Sequence, residues 1–121
     1  MSSPAEKTFE TFPNPHPDND YVVTIAAPEF TCLCPVTGHP DFATITVDYA
    51  PGERIVELRS FKLYLQSFRN EGHHHEGVPN GILNDLVTAT SPRRMTVTAD
   101  YTVRGGIHTV VTASYVRPDN Q

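Results

Sequence analysis

The sequence predicts an α+β domain, with two helices on one face of a four-stranded antiparallel sheet in the order strand–strand–helix–helix–strand–strand. Three observations carry this reading. Two segments alternate apolar and polar residues with the period of two that marks a half-buried strand. The first sets Ala43, Ile45, Val47 and Tyr49 between Thr44, Thr46 and Asp48; the second sets Met95, Val97, Ala99, Tyr101 and Val103 between Thr96, Thr98, Asp100 and Thr102. Between them lie two stretches whose apolar residues recur at helix spacing. Finally, Pro51-Gly52 and Arg104-Gly105-Gly106 supply turns after each alternating run, and hairpins impose antiparallel pairing.

Residues 1–20 carry four prolines (Pro4, Pro13, Pro15, Pro17) and little periodicity, so they read as an extended or mobile arm ahead of one domain over residues 21–121. Tyr21 to Ala27 is a short β-rich run. A cysteine-bearing loop bounded by Pro28 and Pro40 follows, then the first alternating strand, with Glu53 to Leu58 as its hairpin return. Ser60 stands where a helix N-cap would, and Phe61, Tyr64, Leu65 and Phe68 follow at i, i+3, i+4 and i+7. Lys62, Gln66 and Arg69 occupy the other face. After a loop over Asn70 to Pro79, a second helix spans Asn80 to Thr90, with Ile82, Leu83, Leu86 and Val87 on one side, and stops before Pro92. The last strand runs from Ile107 to Val116. The face of the sheet away from the helices is left for solvent or a neighbouring subunit, and its threonine-rich positions suit the inside of a closed barrel made by several sheets.

At 121 residues the chain fits one domain with a single core. No apolar run approaches the roughly 20 residues of a membrane span. The N-terminus has neither a basic nor an apolar stretch of the kind a secretory signal needs, so the cytoplasm, where thiols stay reduced, is the expected compartment. A formal net charge of −5 gives no electrostatic footprint for gripping phosphate backbones, so no nucleic-acid partner and no membrane are expected.

Three segments could carry chemistry. The stretch FTCLCPVTGHPDF, residues 30–42, holds the chain's two cysteines, Cys32 and Cys34. A thiolate nucleophile needs a lowered pKa and a group to manage protons, and a turn could fold Asp41 back towards Cys34. Two small buried hydrophobes would read the same way. A metal site shared with His73-His74-His75 stays open, although Cys-x-Cys lacks the usual two-to-four-residue ligand spacing. A Cys32–Cys34 disulfide would close a very tight ring. In VELRSFKLYLQSFRN, residues 56–70, Arg59, Lys62 and Arg69 lie near one side of the helix; they are a solvated face or a phosphate clamp at a helix N-terminus, with Arg104 as a fourth cation. In GHHHEG, residues 72–77, the histidines and Glu76 are a surface loop, a metal site or a station for a polar heterocycle. A carboxylate can meet a guanine-like edge with two parallel bonds.

Together FTCLCPVTGHPDFATI, VELRSFKLYLQSFRNEG, HHE and RGGI, in that order from about Phe30 to Ile107, resemble the 7-cyano-7-deazaguanine reductases, the nitrile reductases of queuosine biosynthesis. The resemblance implies the tunnelling fold, whose subunits join into β-barrels. For a short, single-module chain it implies two stacked rings of five subunits with sites between them. It puts the nucleophile on Cys34, which would form a covalent thioimide with the nitrile of 7-cyano-7-deazaguanine, and the general acid on Asp41. It puts substrate contacts on Val56, Glu57, Leu58, His75 and Glu76. The NADPH contacts fall on Arg59, Ser60, Lys62 and Arg104, with two NADPH consumed per amine formed and no resident metal.

Some positions depart from the family pattern: Cys32 where serine is usual, His39 where glutamine is common, His73-His74 before the His-Glu pair, Arg59 for a frequent lysine and Val103 for a frequent proline. None removes a group the mechanism needs. The alternatives are an amidinotransferase acting on the same nitrile, a zinc-dependent cyclohydrolase of the same superfamily and a non-catalytic purine- or pterin-binding ring. The first lacks the NADPH motif that stands here as ELRSFKLYL.

Overall fold

The computed structural model describes residues 9–118. In chain order these form β1 (Thr11–Pro13), β2 (Val23–Leu33), β3 (Pro40–Ala50), β4 (Arg54–Val56), α1 (Leu58–Gln66), α2 (Gly77–Thr90), β5 (Arg94–Tyr101) and β6 (Val110–Val116). The main sheet has four strands in the order β2-β3-β5-β6, all antiparallel, and a second, two-stranded ladder joins β1 to β4.

The order of strands and helices is the expected one, but the first hairpin is built from different segments. The return strand expected at Glu53 to Leu58 shrinks to β4, which pairs with β1 rather than with β3. The reason is that β3 has both edges taken, by β2 on one side and β5 on the other. The expected loop from Pro28 is instead the second half of β2. The strand steps through an irregularity between Ala27 and Phe30 and runs on to Leu33. The cysteine segment is therefore strand up to Leu33, and only the turn at residues 34–39 is loop.

The period-two pattern of β3 and β5 does what it predicts as far as Tyr101; Val103, expected in the same run, lies past the strand and is exposed. Ala43, Ile45, Val47 and Tyr49 are buried beside Met95, Val97, Ala99 and Tyr101, and the two strands pair in register from Ala43–Tyr101 to Ala50–Arg94. Phe61, Tyr64, Leu65, Val78, Ile82 and Leu86 of the helices close over this face. Each such buried side chain contributes roughly 1.5–3 kcal/mol of apolar transfer. The opposite face, with Thr44, Thr46 and Asp48, has no helix over it.

Both helices begin earlier than expected. Glu57, not Ser60, caps α1; its carboxylate accepts the N–H groups of Arg59 and Ser60. Helix α2 starts at Gly77 instead of Asn80 because Pro79 falls in the first turn, where a missing N–H costs no helical bond.

Of the arm expected over residues 1–20, the described part holds β1 and then a turn closed by Asn19 N on the His16 carbonyl at 3.1 Å, and it packs on the domain. Phe9 packs edge-on against Tyr64 at 4.8 Å, and buried Asn14 takes hydrogen bonds from Tyr21 Oη at 2.6 Å and His16 N at 2.9 Å. Residues 1–8 lie outside the described part. No described helix is long and apolar enough to cross a membrane.

Candidate active site

Cys34 is the first residue past β2. Its N–H donates to the His39 carbonyl at 2.8 Å and its carbonyl accepts from Gly38 N at 2.9 Å, which closes a tight turn over residues 34–39. Gly38 sits at φ +75°, a conformation that side-chain-bearing residues adopt only with strain. The turn aims groups of its own at the sulfur. Hydrogen bonds from the Thr37 hydroxyl, and then from the N–H groups of Thr37 and Val36, hold the Cys34 thiol below its usual value, against weaker opposition from desolvation and Asp41. Cys34 is half-buried and reduced. Cys32, two residues back, is fully buried and free; burial first, then the charges of Asp41 and Cys34, push its thiol up to about 11. The two cysteines thus diverge: one thiol is lowered and partly accessible, the other is raised and buried.

Asp41 opens the return strand directly opposite Cys32. It is 4% exposed, yet both carboxylate oxygens are engaged. Arg104 Nη1 donates to Oδ1 and also to the Pro40 carbonyl at 3.2 Å, while His75 Nε2 lies 3.3 Å from Oδ2. Arg104 reaches this point because the 104–107 turn is pinched by reciprocal backbone bonds of 3.0 Å between Arg104 and Ile107, with Gly105 and Gly106 both at positive φ.

His75 belongs to a loop stitched to the cysteine strand. Leu33 N donates to the Glu71 carbonyl at 2.9 Å and His73 N to the Leu33 carbonyl at 2.9 Å. Gly72 lies so close to Pro35 that a Cβ would sit 3.2 Å from the Pro35 Cα. His73 pairs with Glu71 at 2.9 Å and packs on Phe68. Among the described residues no three His, Cys, Asp or Glu side chains converge as a metal-ligand set. The imidazole of His75 stacks on Tyr101 with centroids 3.9 Å apart, and the Tyr101 hydroxyl donates to the His75 carbonyl at 3.0 Å. Glu76 follows as the exposed N-cap residue of α2, but its carboxylate makes no capping bond, so it stays available to a ligand.

The remaining candidates gather at the start of α1. Val56 is 2% exposed and its side chain belongs to the core, so only its backbone could meet a ligand. Glu57 is held below the usual carboxylate range by the Ser60 and Arg59 N–H groups it caps. That cap occupies the helix N-terminus, so an anion held there would rest on side chains and not, as expected, on those backbone donors. Ser60 is also engaged, donating to the Glu57 carbonyl at 2.9 Å and accepting from Glu10 N at 2.8 Å. Leu58, Arg59 and Lys62 are exposed. Lys62 and Leu58 line a groove of about 410 Å³ between α1 and β2, with Phe30, Leu65 and Arg69.

The structure therefore joins Cys34, Asp41, His75 and Arg104 around one buried carboxyl, and sets Leu58, Arg59 and Lys62 on an open helix face. Sequence reasoning missed Thr37 and Tyr101. Tyr101 carried a signal only as one more apolar residue in an alternating strand.

An antiparallel sheet backed by two helices in this order is the tunnelling fold, and it carries a lowered thiol close to a buried, doubly held carboxyl. Comparison with known proteins agrees. The family model described as "QueF-like protein" matches residues 40–120, and the chain belongs to that family. It is 60% identical over 117 residues to the NADPH-dependent 7-cyano-7-deazaguanine reductase of Thermomicrobium roseum, covering 97% of this chain and 91% of that one. It is 58% identical over 118 residues to the protein of the same name from Alkalilimnicola ehrlichii, covering 98% and 92%. Among solved structures, the archaeosine synthase QueF-Like in its apo form superposes with a TM-score of 0.72 over 77% of this chain and 91% of that one; at 22% identity this likeness concerns the fold.

Proposed function

We propose that this chain is an NADPH-dependent nitrile reductase that converts 7-cyano-7-deazaguanine into 7-aminomethyl-7-deazaguanine for queuosine, a tRNA modification. The observation that carries the reading is the pairing of an activated Cys34 thiol with Asp41, whose carboxyl is held by Arg104 and His75.

The chemistry follows from that pairing. The Cys34 thiolate adds to the nitrile carbon, forming a carbon–sulfur bond, and the electron pair moves to nitrogen, which takes a proton from Asp41. The product is a thioimide, a better hydride acceptor than the nitrile it replaces. The His75 imidazole, 3.3 Å from Asp41, is the adjacent group able to exchange that proton. When the carbon–sulfur bond later breaks, the sulfur returns to Cys34 as thiolate and the same carboxyl manages the proton bound for the amine. Glu76 takes the N–H and NH2 edge of the base, with His75, Leu58 and the backbone around Val56 and Glu57 shaping the rest of the substrate site.

The residues present fit NADPH. Arg59 and Lys62 are exposed cations with no competing ion pair among the described residues, suited to its phosphates; Ser60 shapes the helix start, while Arg104, the fourth residue of the expected set, is held on Asp41. NADPH, when bound, would supply one hydride, and two molecules bound in turn would supply the two that the amine requires. The uncovered sheet face and the outer edges of β6 and of β2 ahead of Leu33, which no described strand pairs, support assembly into a homo-oligomer, which we read as two stacked five-membered rings in the cytoplasm.

The test is the loss of NADPH absorbance on adding 7-cyano-7-deazaguanine, with two NADPH consumed per amine and a thioimide mass on Cys34 when nitrile is supplied alone. A nitrile-dependent product formed without NADPH consumption would replace this reading with the amidinotransferase one.

A further inference from the structure

Tyr101 is the residue on which the substrate end of the site hangs. It lies at the end of β5, a strand paired on both sides, and its own N–H is fixed to the Thr109 carbonyl at 3.0 Å. It is 2% exposed, so its ring and hydroxyl are held by the sheet and not by solvent. The segment that carries His75 and Glu76 lies between two helices; its backbone is tied to Leu33 on one side and to the first turn of α2 on the other, but neither tie orients the His75 ring. Tyr101 gives it two handles. The hydroxyl donates to the His75 carbonyl at 3.0 Å, and the ring lies under the imidazole at 3.9 Å and 12°. The first handle fixes the loop backbone. The second fixes the plane of the imidazole, and with it the direction of Nε2 towards Asp41.

We infer that Tyr101 is a positioning residue for nitrile recognition, acting through His75 and, one residue further, Glu76; the inference rests on the substrate site proposed above. Burial raises the phenol above its usual value, so the hydroxyl stays a donor wherever the enzyme works. The separation of the two clusters makes the effect selective. Among the described residues Tyr101 meets His75 and not Arg59 or Lys62, so its effect falls first on the nitrile side.

The experiment compares Tyr101→Phe, which keeps the stack and removes one hydrogen bond, with Tyr101→Leu, which removes both. Adduct formation on Cys34 is followed by intact mass at varied nitrile without NADPH, and turnover at varied NADPH. We expect the half-saturating nitrile concentration to rise roughly 3- to 10-fold in Tyr101→Phe and about 30-fold or more in Tyr101→Leu, as lost hydrogen bond and stack predict. The KM for NADPH should stay within about twofold, because no cation of α1 is touched. Spectra of the protein labelled with 13C at histidine Cε1 give a readout that needs no activity: the His75 signal should lose its ring-current shift in Tyr101→Leu and keep it in Tyr101→Phe. An unchanged nitrile dependence in Tyr101→Phe, or equal rises in both Michaelis constants, overturns the inference. If Tyr101→Leu does not fold, Tyr101→Phe decides alone. A wild-type protein that forms no adduct defeats the substrate reading; the role of Tyr101 in placing His75 is then judged by the spectra, where an unmoved His75 signal in Tyr101→Leu sinks it.

Discussion

The knot around Asp41 and the start of α1 both carry charged residues expected to handle ligands, yet they are built in opposite ways. Around Asp41 every polar group has a partner inside the chain: Arg104 and His75 on the carboxyl, Thr37 on the Cys34 sulfur, Tyr101 on the His75 carbonyl. At α1 the groups that could bind an anion through the backbone are capped by Glu57, and Arg59 and Lys62 stand exposed. The first arrangement fixes geometry before a ligand arrives, which is what proton transfer and covalent attack require. The second leaves charge free to meet a flexible phosphate-bearing molecule. On the proposed roles, chemistry is preorganised here and cofactor capture is not.

Breaking the knot should therefore cost the most. Cys34→Ala should lower turnover by roughly three orders of magnitude or more, because no other group among the described residues can form the covalent intermediate. It should also abolish the nitrile adduct in a mass spectrum. Cys34 is half-buried in a turn, so the thermal midpoint should move little. An adduct persisting in this variant would put the nucleophile elsewhere. Asp41→Asn should cost roughly 10²–10⁴-fold in kcat, the usual range for a lost general acid. It also leaves Arg104 facing a neutral amide, so a lower thermal midpoint should accompany the loss; full activity would mean that another group protonates the nitrile nitrogen.

The same contrast explains what could be read from the sequence. The alternation from Ala43 to Tyr49 and from Met95 to Tyr101 was plain because one face of each strand is wholly buried. Strand β2 was hidden because Pro28 falls at its irregularity, which a propensity reading takes for an end. The pairing of β4 with β1 was illegible because a three-residue ladder leaves no periodic trace. Cys34, Asp41, His75 and Arg104 could be nominated from motif and spacing, but not their arrangement. Nothing in a turn of Arg-Gly-Gly says that the arginine lies on a carboxyl 63 positions away. Ser60 and Glu57 are both good caps, and only the packed arm, through Glu10, shows why the serine is occupied elsewhere.

On the open side the effects should be smaller and confined to the cofactor. Lys62→Ala should raise the KM for NADPH about tenfold, the size of one charge-assisted contact, with Arg59→Ala similar or weaker. Neither should alter the rate at which nitrile alone modifies Cys34. Because both cations are exposed, the KM for NADPH should also rise with ionic strength in the wild-type protein more steeply than in Lys62→Ala. A slower adduct in Lys62→Ala would mean that the two clusters are one site.

The smallest effect on activity should come from the second cysteine. Cys32 lies against Asp41 and Cys34, near enough for their charges to raise its thiol, but it is fully buried and its thiol is pushed up to about 11. Thiolate is the form that reacts, so pH separates the two residues. Cys34, with its thiol lowered by Thr37, should be alkylated by iodoacetamide at a rate that rises and levels off below the pH where a free cysteine does. Cys32 should stay unmodified in the folded protein up to about pH 11, and become accessible only on unfolding. Cys32→Ser should keep turnover within about twofold while lowering stability by about 1–3 kcal/mol, because a hydroxyl replaces a thiol at a fully buried position. Peptide mapping after alkylation reads the first outcome and thermal unfolding the second. Loss of turnover in a folded Cys32→Ser protein would show that the buried thiol helps to set Asp41, and that the knot extends one strand deeper than its hydrogen bonds.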